Sequence, residues 1–154
     1  MILSRITLSP FAGIPHLDLS FTNGLNVILG ANEAGKSTVF HALYNVIFTE
    51  AKLTPGRFKK LMNRFIPVGG GDTVSVELHF KHKNADHYLK RKWGPSADAE
   101  LKLPNGNIIS DESTIAEYLG TCLSASEGTY RAVLMTKQSS LAGTLDALKN
   151  EHTD

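Results

Sequence analysis

Apolar and polar residues alternate from the start of the chain. Ile2, Ile6 and Leu8 share one parity, and Leu17, Leu19 and Phe21 alternate with His16, Asp18 and Ser20. This pattern predicts two one-sided strands. The turn-rich stretch Ser9-Pro10-Phe11-Ala12-Gly13-Ile14-Pro15 links them, and Asn23-Gly24 is a hairpin-type turn signal. Leu25-Asn26-Val27-Ile28-Leu29 then forms a short, nearly continuous apolar run, which predicts a strand buried on both faces.

A glycine-bounded break over residues 30–35 ends that run. From Lys36 the period changes to helical: Val39, Leu43, Val46 and Ile47 fall at i, i+4, i+7 and i+8. Thr54-Pro55-Gly56-Arg57 is expected to end this helix. Period two returns when Val74, Val76, Leu78 and Phe80 alternate with Ser75, Glu77, His79 and Lys81. A turn at Asn84–Asp86, a return over Tyr88–Trp93 and a hairpin turn at Pro104-Asn105-Gly106-Asn107 make residues 73–109 an expected antiparallel meander. Asp111 is placed to N-cap a helix running to Leu119, with Gly120 as its stop. Ser124 and Glu127 have capping-box spacing for a further helix through Tyr130. Leu141, Leu145 and Leu148 give a 4-3 spacing, the expected start of a helix leading into a coiled coil. The expected division is residues 1–140 as one lobe and 141–154 as that helix.

Composition narrows the class. Of 154 residues, 42% are hydrophobic and 20% charged, which is a globular balance. The single cysteine, Cys122, excludes a disulfide scaffold. No apolar run is long enough to span a bilayer, and Met1–Pro10 has no signal-peptide pattern, so no membrane partner and a cytoplasmic location are expected. Net charge is +1, so no global field draws the chain to nucleic acid. Residues 57–92 nevertheless hold nine basic against three acidic residues. A basic patch or a set of solvated strand faces would both give that balance.

The chemistry lies in Gly30-Ala31-Asn32-Glu33-Ala34-Gly35-Lys36-Ser37-Thr38, which fits G-x-x-x-x-G-K-[ST] at every fixed position. An apolar run precedes it and an amphipathic helix follows, the setting a phosphate loop needs. Its glycines let successive N–H groups turn inward toward phosphate oxygens, and the helix start adds the positive end of its dipole. Residues 32–38 (Asn32, Glu33, Ala34, Gly35, Lys36, Ser37, Thr38) are the expected nucleotide contacts. Lys36 is expected to reach the β and γ phosphates of ATP, and the Ser37 hydroxyl to ligate Mg²⁺.

Two β segments before the loop and a meander after it suggest an ABC-type ATPase lobe, with antiparallel strands packed on an α/β core. Residues 9–38 resemble the amino-terminal lobe of the SbcC/SMC-like double-strand-break repair ATPases, and most closely their YhaN-like branch with its Asn-Glu-Ala-Gly-Lys-Ser-Thr loop. The strand pair around Gly71–Phe80 and Tyr88–Lys92 and the helix segment Ile115–Gly120 are similar too. Lys137-Gln138-Ser139-Ser140-Leu141 looks like that family's Q-loop. The resemblance implies an α/β P-loop NTPase fold, an ABC-ATPase head lobe. It implies that Gln138 joins Lys36 in catalysis and Ser37 at Mg²⁺. The implied partners are the C-terminal lobe of the same ATPase, a second head in a homodimer, a nuclease subunit and DNA. That family often has an arginine after the first-strand phenylalanine, whereas Ala12 follows Phe11 here.

No apolar run ending in Asp-Glu supplies a Walker B motif. Leu123–Glu127 lacks the glycines of an ABC signature and precedes the expected Q-loop, so it is read as a cap. In the resembled family the signature and Walker B lie in a second lobe beyond a long coiled coil, so the resemblance implies that the chain is half of a composite head, binding ATP without efficient hydrolysis. A stand-alone P-loop nucleotide-binding module or small phosphotransferase is the alternative; a transporter ATPase domain fits less well, because Gln138 lies too far beyond Lys36. His79, His82 and His87 are read as strand and hairpin residues, His41 as packing and Asp72 as a turn residue. Trp93 and Tyr88, with Lys90, Arg91 and Lys92, form either a one-sided sheet or a nucleic-acid stacking surface.

Overall fold

Alternation along the strands becomes one buried sheet face. The computed structural model describes residues 1–32 and 34–130, which fall into two units, Met1–Cys122 and the stretch from Leu123 onward. In the first unit β1 (Ile2–Leu8), β2 (Leu17–Ser20), β3 (Val74–His82), β4 (Ala85–Trp93), β5 (Asp98–Lys102) and β6 (Ile108–Ile109) form one sheet. Its order is β2-β1-β3-β4-β5-β6, and every pairing is antiparallel.

Register aligns the apolar parity across strands. Leu8 lies opposite Val76 and Val76 opposite Arg91; Ile6 faces Leu78, which faces Leu89, which faces Leu101. Apart from Arg91, these side chains are fully buried apolar groups. The opposite face is polar and holds the ladder Thr7, Glu77, Lys90, Glu100. The meander expected over residues 73–109 is present.

Helix α1 (Lys36–Phe48) covers the apolar face with Val39, Ala42, Asn45, Val46 and Ile47. The short helix α2 (Pro55–Leu61) and a 3₁₀ turn at Asn63–Phe65 follow, anchored by Met62 and Phe65. Phe65 stacks on Phe11 at 4.6 Å between ring centroids. Helix α3 (Glu112–Cys122) buries Ile115, Leu119 and Cys122, an i, i+4, i+7 stripe.

Several expectations need correction. Leu25–Leu29 is not a strand. A strand buried on both faces needs neighbours, and among the described residues none flanks it. The Asn26 side chain instead ties down the Asn23-Gly24 turn, accepting from Thr22 N–H at 2.9 Å and donating to the carbonyls of Thr22 and Gly24. Helix α1 stops at Phe48, where Thr49 turns extended and donates its hydroxyl to Asn45 Oδ1 at 2.8 Å. Thr54-Pro55 begins α2 rather than ending α1, with Pro55 in the first turn, where its missing N–H costs nothing. Gly120 does not stop α3, because Cys122 extends the buried stripe one turn beyond it.

In the second unit α4 (Glu127–Thr129) is a single turn. Ser126, not Ser124, caps it: the Ser126 hydroxyl accepts from Thr129 N–H at 3.3 Å. Gln138 and the 141–154 helix, like Glu33, lie outside the described residues.

Candidate phosphate-binding site

The glycine-bounded loop stands at the start of α1. Gly35 precedes the helix with φ of +85°, a left-handed conformation that favours glycine. A Cβ there would also meet Ile14 Cδ1 at 2.9 Å. Val39 N–H closes the helix onto the Gly35 carbonyl at 3.1 Å. Helix geometry leaves the first N–H groups without intrahelical acceptors, and the N-cap residue, Gly35, has no side chain to cap them. Donors and dipole therefore suit an anion at this end.

Lys36 folds back over the loop. Its Nζ donates to the carbonyls of Gly30 and Ala31, each at 2.6 Å. Ala34 N–H closes onto the Ala31 carbonyl at 3.2 Å, so the loop is curled around the ammonium. Ser37 is exposed and Thr38 half-buried; Asn32 and Ala34 are exposed. The structure thus brings Asn32, Ala34, Gly35, Lys36, Ser37 and Thr38 together at one helix end. The donor set fits a polyphosphate: the amides at the helix start, one ammonium held only by loop carbonyls and an exposed serine hydroxyl suited to a hydrated divalent cation.

The far end of α1 is held by residues that the motif did not mark. Arg91 is 2% exposed. Its Nη1 donates to the carbonyls of Val46 and Ile47, both at 3.1 Å. Its Nη2 donates to Glu112 Oε2 at 2.7 Å, and Glu112 Oε1 accepts the Ala51 N–H. Burial pushes the Arg91 pKa down, and the adjacent Glu112 carboxylate opposes that shift. Two residues along the same strand face, Trp93 Nε1 donates to the Glu50 carbonyl at 2.9 Å. The signal was available in sequence: Arg91 shares the parity of Leu89 and Trp93.

Several other candidates have structural partners. Trp93 is fully buried and cannot stack on a nucleobase. Lys90 pairs with Glu77 at 3.1 Å, Lys81 pairs with Asp86 at 3.9 Å, and Arg57 pairs with Glu50. His87 bridges the Ala85 carbonyl and the Tyr118 hydroxyl. Among the described residues no group of His, Cys, Asp and Glu could hold a metal ion. His41 lies edge-on to Phe40 and 5.5 Å from the Phe65 ring, as a packing residue. Asp72 accepts from the Thr73 hydroxyl at 3.0 Å in its turn. Arg5 forks onto Asp18 on the polar sheet face. No described helix is long and apolar enough to cross a membrane.

Comparison with known proteins identifies the family. The AAA domain family matches residues 5–149. The chain is 29% identical to the DNA double-strand break repair Rad50 ATPase of Thermoplasma volcanium over 126 residues, 77% of this chain and 13% of that protein. It is 25% identical to the same-named ATPase of Methanosarcina acetivorans over 158 aligned positions, 97% of this chain and 14% of that protein. The DNA replication and repair protein RecF of Shewanella frigidimarina is 28% identical over 120 residues, 77% of this chain and 31% of that protein. The chain thus spans about a seventh of the Rad50 relatives and about a third of the RecF relative. With an α/β fold, an antiparallel sheet and a phosphate loop at the start of α1, the chain belongs to the AAA domain family of P-loop NTPases, alongside the Rad50 repair ATPases.

Proposed function

We propose that the chain is the ATP-binding N-terminal lobe of an SbcC/SMC-like ABC-type ATPase head acting in DNA repair or chromosome maintenance. One observation carries this reading. Leu25–Leu29, which leads into the phosphate loop, is apolar yet open to solvent: Leu25 is 89% and Leu29 86% exposed. A run with the composition of a buried strand, with no strand among the described residues to cover it, beside the start of α1, fits a core completed by further chain. That further chain would be the C-terminal lobe of the same ATPase.

The loop residues have distinct tasks. Amides at the start of α1 would take the phosphate oxygens. Lys36 would exchange the carbonyls of Gly30 and Ala31 for β and γ phosphate oxygens. Ser37 would hold Mg²⁺, whose bound charge offsets that of the phosphates. Gln138 is assigned to the metal and the attacking water by resemblance. ATP held between two heads would favour the dimer through its differential affinity for that state. A nuclease subunit and DNA are the proposed partners.

Mg-ATP turnover and mass measured by light scattering test the proposal. The 154-residue chain joined by a C-terminal lobe is expected to dimerise with ATP and hydrolyse it, whereas the 154-residue chain alone binds ATP with little turnover. Full turnover, or phosphoryl transfer to a small acceptor, by the 154-residue chain alone would instead establish a self-sufficient module.

A further inference from the structure

A rigid helix is aimed from the end at which it is held. The loop end of α1 is lightly packed: Ser37 is exposed, and the loop residues 30–32 before it are exposed as well. The opposite half is firmly packed, with Ala42, Asn45, Val46 and Ile47 all buried. Thirteen residues make α1 about 20 Å long, so a tilt of about 3° at the packed end moves the loop end by about 1 Å. An error of that size is large for groups that must meet phosphate oxygens at hydrogen-bond distance.

Helix α1 lacks the usual means of finishing its C-terminal end. Its last turn has no basic residue, and Thr49 follows it in extended conformation rather than a left-handed glycine. Arg91, from β4, supplies the missing donors to two terminal carbonyls and a cation at the negative end of the dipole. The other arm of its fork reaches Glu112, the first residue of α3, and Glu112 returns to Ala51 N–H just beyond α1. One guanidinium thereby joins β4, α1 and α3. The arrangement carries a cost, because Arg91 Nε is buried without a partner. Its neighbours on the sheet, Val76 and Ala99, are apolar, so an aliphatic side chain would pack there.

We propose that Arg91 is a positioning residue for the phosphate loop, acting through α1, and that Glu112 ties the same hold to α3. The inference rests on the reading of that loop as a nucleotide site. Arg91 touches no nucleotide; it fixes the helix axis along which the loop amides point.

The test is calorimetric titration of the full chain with Mg-ATP, with thermal melts of each variant. Arg91→Met with Glu112→Gln keeps the volume, leaves no unpaired buried charge and preserves the acceptor for Ala51 N–H. Trp93→Phe is the control, because it removes a bond to Glu50 just past the helix. The double variant is expected to fold and to weaken ATP binding about tenfold, while Trp93→Phe at matched stability weakens it less than about threefold. If the double variant does not fold, Arg91→Lys is read the same way, because a lysine cannot fork between the carbonyls and the carboxylate. A folded variant with parental affinity overturns the proposal. So does a loss that tracks melting temperature equally in Trp93→Phe. Failure of the loop reading is distinguishable, because Lys36→Ala would then match the parent; if positioning alone fails, Lys36→Ala is defective and the Arg91 variants are sound.

Discussion

The ammonium of Lys36 lies 2.6 Å from the carbonyl oxygen of Gly30, across a loop of its own making. The charge is satisfied by backbone acceptors that a phosphate can replace, and among the described residues no hydrogen bond from Lys36 Nζ reaches beyond the loop. Lys36→Ala should therefore leave the fold intact and remove a charge-assisted hydrogen bond to ATP. Such bonds contribute about 1.5–3 kcal/mol, so affinity should fall by roughly one to two orders of magnitude. Titration with Mg-ATP, beside a circular dichroism spectrum, measures both. Unchanged affinity would remove the loop from consideration as the binding site.

Gly35 tests the shape of the same loop. Its φ of +85° is costly for an L-residue, by roughly 1–2 kcal/mol. An added methyl group would also stand 2.9 Å from Ile14 Cδ1. Gly35→Ala should lower the melting temperature and weaken ATP binding together, since Ile14 can turn aside but the strain of a positive φ is relieved only by moving the loop. A variant that melts and binds like the parent would show that the left-handed turn is not required.

Ser37 separates metal from phosphate. Its exposed hydroxyl is free to ligate a hydrated cation, and the helix amides do not depend on it. Ser37→Ala should weaken ATP binding when Mg²⁺ is present and leave it unchanged when EDTA has removed the metal. Equal losses in both conditions would place the hydroxyl on a phosphate oxygen instead.

Asp111 makes stability depend on pH. The hydroxyls of Ser113 and Thr114, with the Thr114 N–H, hold its pKa down to about 2 from an ordinary 3.8. A carboxylate depressed in the folded state stabilises that state above its unfolded pKa, and the contribution is lost as pH falls through the folded value. The parent should therefore melt above Asp111→Asn near neutrality, and the difference should shrink from about pH 4 down to about 2. A difference that stays constant over this window would mean that the cap acts through shape rather than charge.

The legible parts of the sequence were those governed by one strong local rule. Val74 to Phe80 and Leu89 to Trp93 alternate because one sheet face is buried, and period two records that directly. The phosphate loop was legible because its spacing and the helix after Lys36 agree. Arg91 was harder, since a guanidinium ordinarily marks surface; its fully buried place depends on carbonyls of α1, forty-odd residues away in sequence. Gly120 read as a stop, yet the stripe from Ile115 through Leu119 to Cys122 carries the helix past it, tertiary burial outweighing local propensity. Gln138, read by resemblance, and Glu33, the fourth residue of the motif, lie outside the described residues.

Leu25–Leu29 shows what an apolar pattern does and does not encode. The pattern calls for burial but does not name the covering partner, and among the described residues no strand pairs with it. Leu25 and Leu29 are 89% and 86% exposed, so replacing both with serine removes little buried area. In the 154-residue chain Leu25→Ser with Leu29→Ser should change stability by no more than about 0.5 kcal/mol per site. In the composite head proposed above the same pair should cost much more, because the serines would replace leucines that the second lobe covers, each losing roughly 2–5 kcal/mol of packing. Melting of both forms and ATP hydrolysis by the longer one measure the contrast. A large loss in the short chain would mean that the segment is packed within it. Equal, small losses in both would mean that no partner strand covers it, and the composite-head proposal would lose its main support.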